Sequence, residues 1–304
     1  MLIVIVFLIL IIFIYLALRY FKRPEDPRDT RERMANLLRA GDARGALTRE
    51  IRKSDTETIC LILAQESQYI PLEQWRKIRK YLMDEGRNGE FIDLLGHEDP
   101  ELRGCAAEAL GYLNFPGSSQ ALLTALGDRR GEVQLAASRS LAKIKDLSLL
   151  DPLVDLLGKG GSWLPARVAD VLAAMGGEAV PPLLAALGGL QGPPLVHAVE
   201  ILGELRAPGA VPVLQDIAVG SPQVEARAAA AQALGVIGDP GAVSTLMKTL
   251  DDEAWEVRLR GAKALGRIGD DRCEAVLRGA LEDEEWNVRV TAEAALKDIA
   301  AAKE

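Results

Sequence analysis

Histidine, cysteine and aromatic side chains are scarce in this sequence. Its 304 residues include two histidines and three cysteines, and Phe, Trp and Tyr together make up 5%. His97 and His197 are far apart in the sequence, so they are too few for a multi-imidazole metal centre or for Ser-His-Asp or Cys-His catalysis. The sequence therefore predicts no catalytic residues, no metal and no bound cofactor.

The three cysteines give no disulfide framework. Cys60, Cys105 and Cys273 are widely separated and odd in number. Scattered, unpaired thiols are typical of a reducing compartment, and their spacing resembles no metal-binding motif.

Charged residues are absent from the first 18 positions, which are almost entirely aliphatic. As a helix rising about 1.5 Å per residue, these positions span roughly 27 Å, close to the roughly 30 Å of a bilayer core. A cleaved signal peptide is the alternative, but the segment has neither a basic start nor a small-x-small cleavage site. We therefore expect residues 1–21 to be a single transmembrane anchor. Its membrane-interface residues are Arg19, Tyr20, Phe21, Lys22 and Arg23.

The distribution of basic residues around this anchor predicts its orientation. No Lys or Arg precedes the apolar run, whereas six basic residues lie between positions 19 and 33. The positive-inside rule then places the N-terminus outside the cell membrane and the remaining chain in the cytoplasm. Residues 22–28 contain two prolines and are predicted to be a juxtamembrane linker.

A repeat of about 31 residues organises the rest of the chain. Around each marker leucine, apolar or small residues at −8, −4, −1 and +3 share one face of a helix. A turn and a second apolar helix follow, so each unit is a helical hairpin, and stacked hairpins bury a common core as an α-solenoid. The markers are Leu110, Leu141, Leu172, Leu202, Leu234, Leu265 and Leu296.

The unit from Asp252 to Asp270 carries a family resemblance. Its Asp-x-x-x-Val-Arg, small residues and Ala-Leu-Gly-x-Ile-Gly-Asp resemble the HEAT repeat, and more narrowly the HEAT-like repeats of phycobilisome lyases. The resemblance covers residues 98–304 and implies an all-α solenoid of about seven repeats. It implies little about function, because such repeats occur in scaffolds, in assembly factors and in a few enzymes.

Residues 29–97 are helical in pattern but do not follow the 31-residue spacing. We interpret them as an N-terminal cap or divergent repeats; a separate small helical domain is the alternative. In residues 98–304, 30 acidic residues outnumber 20 basic ones. Nucleic-acid binding requires a basic surface, so no nucleic-acid partner is expected.

An arginine recurs seven positions before four of the markers, at Arg103, Arg227, Arg258 and Arg289. If these arginines, which we call the arginine ladder, had no acidic partner within the chain, they would bind phosphate or an acidic peptide. The interpretation we favour is structural, with each arginine paired to an acidic residue of the adjoining turn.

Candidate partner-binding residues lie in two kinds of sequence. Residues 149–224 are poor in charge and rich in Gly and Pro, so we expect the most apolar surface there. The acidic runs 251–253 and 282–285 are either solvated loops or a docking strip for a basic partner. Three tryptophans are either peptide anchors or, as we favour, packing at repeat junctions. The candidates are Trp163, Trp255, Trp286, Leu184 and Leu214.

The sequence favours a membrane-tethered scaffold over an enzyme. We predict that a partner protein binds by apolar burial along the second helices of repeats two to five, and that scrambling residues 180–220 abolishes its capture. The resemblance leaves one alternative open, a lyase-like or chaperone-like assembly factor for a cofactor-bearing protein.

Overall fold

The structure is a computed structural model that describes residues 27–40, 45–158 and 164–301. Within these ranges the chain consists of helices and turns, with no strand, which confirms the all-α prediction. The predicted anchor, its interface residues and Trp163 lie outside the described residues. The chain divides into two compact units between Phe91 and Ile92.

In its described residues, 27–40 and 45–91, the first unit contains five helices, of which the fifth ends just past the division. Its buried side chains include Met34, Leu38, Ile59, Trp75 and Leu82. The helices are α1 (Pro27–Ala40), α2 (Ala46–Lys53), α3 (Thr56–Gln65), α4 (Leu72–Asp84) and α5 (Asn88–Asp93).

The second unit contains thirteen described helices arranged as six hairpins and a final helix. The first helices of the repeats are α6 (Pro100–Leu113), α8 (Gly131–Ile144), α10 (Leu164–Met175), α12 (Pro193–Glu204), α14 (Val224–Ile237), α16 (Trp255–Ile268) and α18 (Trp286–Ala301). The second helices are α7 (Ser118–Ala125), α9 (Leu150–Leu157), α11 (Val180–Ala186), α13 (Val211–Gly220), α15 (Val243–Lys248) and α17 (Glu274–Gly279).

Each of the six described hairpins turns at a residue with left-handed backbone, and in three of them an aspartate (Asp146, Asp239 or Asp270) begins the next helix. Gly238 and Gly269 end α14 and α16 with φ of 78° and 74°, a conformation that glycine adopts without strain. The following Asp239 and Asp270 accept the backbone N–H two residues ahead, which starts the second helix. The Gly-Asp pairs therefore account for the turns of these two hairpins.

Neighbouring first helices pack so closely that a glycine of one helix lies against a small side chain of the next. A Cβ added at Gly235 would lie 2.5 Å from Ala264 Cβ, and one added at Gly266 would lie 2.7 Å from Ala295 Cβ. Gly111 and Gly203 occupy the same repeat position in α6 and α12 and are equally enclosed. This glycine, directly after the marker leucine, sets the distance between successive repeats.

The small residue four positions before the marker contacts the preceding repeat. Gly261 of α16 faces Thr249, which follows the second helix of that repeat. Thr249 is buried and satisfies its hydroxyl by donating to the Leu246 carbonyl at 2.6 Å. The small residue therefore joins one repeat to the previous one.

One described stretch, Pro165–Gly189, is apolar and long enough to cross a bilayer by length and composition, with a mean hydropathy of 1.5. It is not one continuous span: Gly176, with φ of 73°, separates α10 from α11. Val168, Leu172 and Leu183 are fully buried in the repeat core. The apolar character of this stretch is thus explained by its place as the third hairpin.

Candidate protein-binding surface

Two of the three candidate tryptophans lie at the surface. Trp255 and Trp286 are the first residues of α16 and α18, and 36% and 63% of their areas are exposed. They occupy the same position in successive repeats, and packed helices lie about 8–10 Å apart. Two indoles are therefore presented in a row at one edge of the solenoid.

Acidic residues precede both tryptophans. Asp251 and Glu253 are exposed before Trp255, and the Glu284 side chain is 84% exposed before Trp286. In each acidic run one aspartate, Asp252 or Asp283, pairs with an arginine, whereas Asp251, Glu253, Glu282 and Glu284 are exposed.

A cleft of about 390 Å³ continues this edge towards the preceding repeat. Its lining includes Val219, Lys248, Asp251 and Glu253, and Val219 is 49% exposed. We call residues 219–223, 249–255 and 281–286 the loop edge, because they connect each second helix to the next first helix. Val219 was not among the candidates predicted from the sequence, although it occupies the same repeat position as the first residue of each acidic run.

Leu214 is a correction to the candidate set, because it is fully buried. Its repeat position in the second helix is occupied by a buried leucine throughout, as at Leu183 and Leu246. Leu184 follows that position and is half-buried. Of these two leucines, only Leu184 offers side-chain area to a partner.

The predicted apolar surface of residues 149–224 is not made of large exposed hydrophobic side chains in the described part of this stretch. Among the described residues, the large hydrophobic side chains that are at least 36% exposed include Val219 in this stretch, and the others lie outside it. The second helices of repeats three and four carry prolines and alanines on their outer side, as at Pro181, Ala185 and Pro212. Leu183 and Leu214 are buried and Leu184 is half-buried, so the exposed apolar area of these helices comes mainly from prolines, alanines and Val219.

The arginine ladder is structural in three repeats, as the favoured interpretation predicted. Arg258 donates from Nε to Asp283 Oδ2 at 2.8 Å and from Nη2 to Asp283 Oδ1 at 2.9 Å. Its Nη1 also donates to the carbonyls of Asp252 and Glu253. Arg103 with Asp128, and Arg227 with Asp252, repeat the bidentate pairing. Each pair joins one repeat to the next.

These pairs hold the aspartates in their charged form. The hydrogen bonds from Arg103 and Arg258 lower the pKa of Asp128 and of Asp283 respectively. Burial would raise the pKa of Asp252, but the hydrogen bond from Arg227 and that from the Ala254 N–H bring it below its usual value.

The ladder is interrupted in the middle of the solenoid. Gln134, Pro165 and Leu195 stand at the arginine position of repeats two, three and four. Gln134 Nε2 donates to the backbone carbonyl of Asp128, in the loop just before its own helix. Bidentate pairs therefore couple the repeats at the two ends of this unit and not in its centre.

The histidines and cysteines are not gathered into a site. His97 Nδ1 accepts the Asp99 N–H at 3.0 Å, and His197 lies 3.3 Å from Glu200 on the same helix. Burial, with nearby glutamates, raises the pKa of the Cys105 thiol to about 11, so it is protonated at neutral pH. In the described ranges, no group of three His, Cys, Asp or Glu side chains is placed to hold a metal ion.

Several solved structures are similar to this chain. Kap95p bound to RanGDP superimposes with a TM-score of 0.62 at 14% identity, over 91% of this chain and 44% of that chain. Yeast importin-β (Kap95p) gives a TM-score of 0.57, also at 14% identity, over 91% and 42%. The CpcE–CpcF complex of phycocyanin lyase from Nostoc sp. PCC7120 gives 0.46 at 22% identity, over 49% and 99%. Identities this low show the fold alone.

Comparison with the curated proteins found no match. The family model for HEAT repeats, in contrast, matches residues 90–173, 180–260 and 243–304. These segments cover most of the second compact unit, with the same helical hairpins that the structure shows. The chain belongs to the HEAT-repeat family.

Proposed function

We propose that this protein is a membrane-tethered scaffold that binds a basic segment of a partner protein along the loop edge. The observation that carries the proposal is the pair of exposed indoles, Trp255 and Trp286, each preceded by exposed carboxylates. Tryptophan is enriched among the residues that dominate binding energy at protein interfaces.

The chemistry of the loop edge selects a cationic partner. Lys and Arg side chains interact favourably with carboxylates, and their charged groups also stack on the face of an indole. The net charge of −8 adds a long-range attraction that speeds encounter with a basic segment. A partner with alternating basic and apolar residues fits the repeat spacing of this edge.

The proposed tether is the apolar N-terminal segment, with the N-terminus outside and the solenoid in the cytoplasm. Its support is the run of 18 residues without charge, followed by Arg19, Lys22 and Arg23. Tethering raises the effective concentration of the loop edge towards other membrane components, so a modest affinity is enough for stable capture. We propose no catalytic role.

Substitution of the two indoles tests the binding surface. We expect Trp255→Ala combined with Trp286→Ala to weaken binding of a fluorescent Arg- and Lys-rich peptide by about tenfold or more, since each indole contributes on the order of 1–2 kcal/mol at such sites. Fluorescence anisotropy of the peptide with the full-length protein measures this, and the affinity should fall with added salt.

The matched control is Leu72→Ala, because Leu72 is 77% exposed and is not a residue of the loop edge. Equal binding by the double variant and the control would refute the loop-edge proposal. Photo-crosslinking from position 286 in solubilised membranes then identifies the natural partner. Recovery of a coloured, cofactor-loaded protein would instead favour the assembly-factor alternative.

Charged substitutions in the apolar segment test the tether. Ile9→Lys together with Ile11→Lys should release the protein from carbonate-washed membranes, because each lysine near the centre of a span costs about 2.5–3.5 kcal/mol. Ile9→Leu with Ile11→Leu is the control and should remain bound. Wild-type protein in the soluble fraction would contradict the tether without affecting the loop-edge prediction.

A further inference from the structure

The outer side of α4 combines exposed apolar and cationic side chains. Leu72, the first residue of α4, is 77% exposed, more than any other large hydrophobic side chain in the described ranges. Arg76, Lys80 and Met83 follow at spacings of four, four and three residues, so they share one side of the helix with Leu72. All three are exposed, whereas Ile78 on the opposite side is buried.

The cations of this side have little charge compensation. In the described part of the chain, neither Lys77 nor Lys80 forms an ion pair. Arg76 lies 3.7 Å from Glu73, but both side chains are mostly exposed, and such pairs contribute little. Asp84 is the other exposed carboxylate of this side. The excess of positive charge therefore faces solvent.

Tyr69 extends the apolar part of this surface. It is 63% exposed and lies three residues before Leu72. The guanidinium carbon of Arg39, near the end of α1, is 5.4 Å from the centroid of the Tyr69 ring. This contact places the surface beside the end of α1. We call the following residues the α4 face: Tyr69, Leu72, Arg76, Lys77, Lys80 and Met83.

The proposed tether would keep the α4 face close to a bilayer. Five residues, 22–26, separate the apolar segment from the start of α1 at Pro27. A chain of this length spans at most roughly 20 Å, and the length of α1 adds roughly another 20 Å. The bilayer surface is therefore always within reach of the α4 face, whereas a protein partner has to be encountered by diffusion.

We propose that the α4 face docks on the anionic lipid surface of the membrane, an inference that rests on the proposed tether. Apolar side chains that enter the headgroup region beside Lys and Arg are typical of helices that lie on membranes. The charge distribution supports this orientation, since positions 1–97 carry 16 basic and 14 acidic residues, and positions 98–304 carry 20 and 30. An anionic surface attracts the α4 face and repels the acidic solenoid, which leaves the loop edge for a basic partner.

The probe is a vesicle of phosphatidylcholine, with or without phosphatidylserine, into which the full-length protein is reconstituted. The environment-sensitive fluorescent amino acid Anap replaces Leu72, which is exposed enough to tolerate the change. We expect its emission to shift to shorter wavelength in anionic vesicles only, and added salt should reverse the shift. Lys77→Gln with Lys80→Gln should remove most of the shift, since each cation near an anionic surface contributes about fivefold to binding.

Lys263→Gln with Arg267→Gln is the control for net charge, because both residues are exposed on α16 and are not part of the α4 face. This variant should keep the full shift. Equal emission from position 72 in neutral and anionic vesicles would overturn the proposal, as would a shift that survives Lys77→Gln with Lys80→Gln. A shift without lipid that grows with protein concentration would also overturn it, since a second copy of the chain would then cover the α4 face.

Flotation with neutral vesicles tests the tether separately. Protein that floats with neutral vesicles but shows no emission shift in anionic ones would refute docking and leave the tether intact. Protein that floats only with anionic vesicles, and no longer does so after Lys77→Gln with Lys80→Gln, would refute the tether and support docking through the α4 face.

Discussion

Arg258→Gln should lower the stability of the solenoid by about 3 kcal/mol, and lower its Tm by roughly 6–10 °C. Arg258 is 7% exposed and makes hydrogen bonds to Asp283 and to two backbone carbonyls. Glutamine cannot reach all of these partners, so Asp283 would remain charged and largely desolvated. Thermal unfolding of the full-length protein, followed by circular dichroism, measures the effect.

The same variant has a defined pH dependence. Pairing lowers the pKa of Asp283 in the folded protein. Its stabilising contribution is therefore present above the unfolded value of about 3.9 and is lost as the pH falls through the lower, folded value. The difference in unfolding free energy between wild type and Arg258→Gln should narrow below about pH 4. Arg278→Gln, at an exposed pair within one helix, should change stability by less than about 0.5 kcal/mol at any pH. A constant difference down to pH 3 would contradict the assigned role of Asp283.

Two glycines of the same helix should respond to alanine with opposite signs. A Cβ added at Gly111 would lie 2.7 Å from Ser140 Cβ and 2.9 Å from Ser140 Cα, so α6 and α8 would have to separate. We expect Gly111→Ala to cost about 2–3 kcal/mol through overpacking. A Cβ added at Gly104 meets nothing within 4 Å. Gly104→Ala should therefore raise stability by about 0.5–1 kcal/mol, because alanine favours the helix.

This pair contains its own control, since both variants add one methyl group to α6. Differential scanning calorimetry of the full-length protein gives the two shifts in Tm. A similar loss at both positions would mean that helix α6 tolerates no added side chain, and the proposed role of Gly111 in repeat spacing would be wrong.

Periodicity predicted the fold because it reports which face of each first helix is buried. The marker leucines Leu110, Leu202 and Leu265 are all fully buried, as their shared position requires. The arginine pairs were also predictable, since a buried charge needs a partner and the adjoining turns supply aspartates. HEAT-repeat architecture was therefore within reach of the sequence alone.

The binding surface was less predictable for a physical reason. The second helices are only six to ten residues long, too short for a pattern to separate an inner from an outer side. That is why Leu214 was assigned to the surface, although alignment of the repeats places it with the buried leucines. The exposure of Trp286 depends on what packs beside α18, which local sequence does not report.

The gap in the ladder has a mechanical consequence. Bidentate pairs fix both the distance and the angle between repeats, whereas apolar packing resists separation but permits sliding. The stretch holding Gln134, Pro165 and Leu195 is therefore the compliant segment of this unit, between two stiffer ends. When a partner binds the loop edge and strains the solenoid, we expect the angle between repeats to change there, so the central repeats would take up most of the deformation.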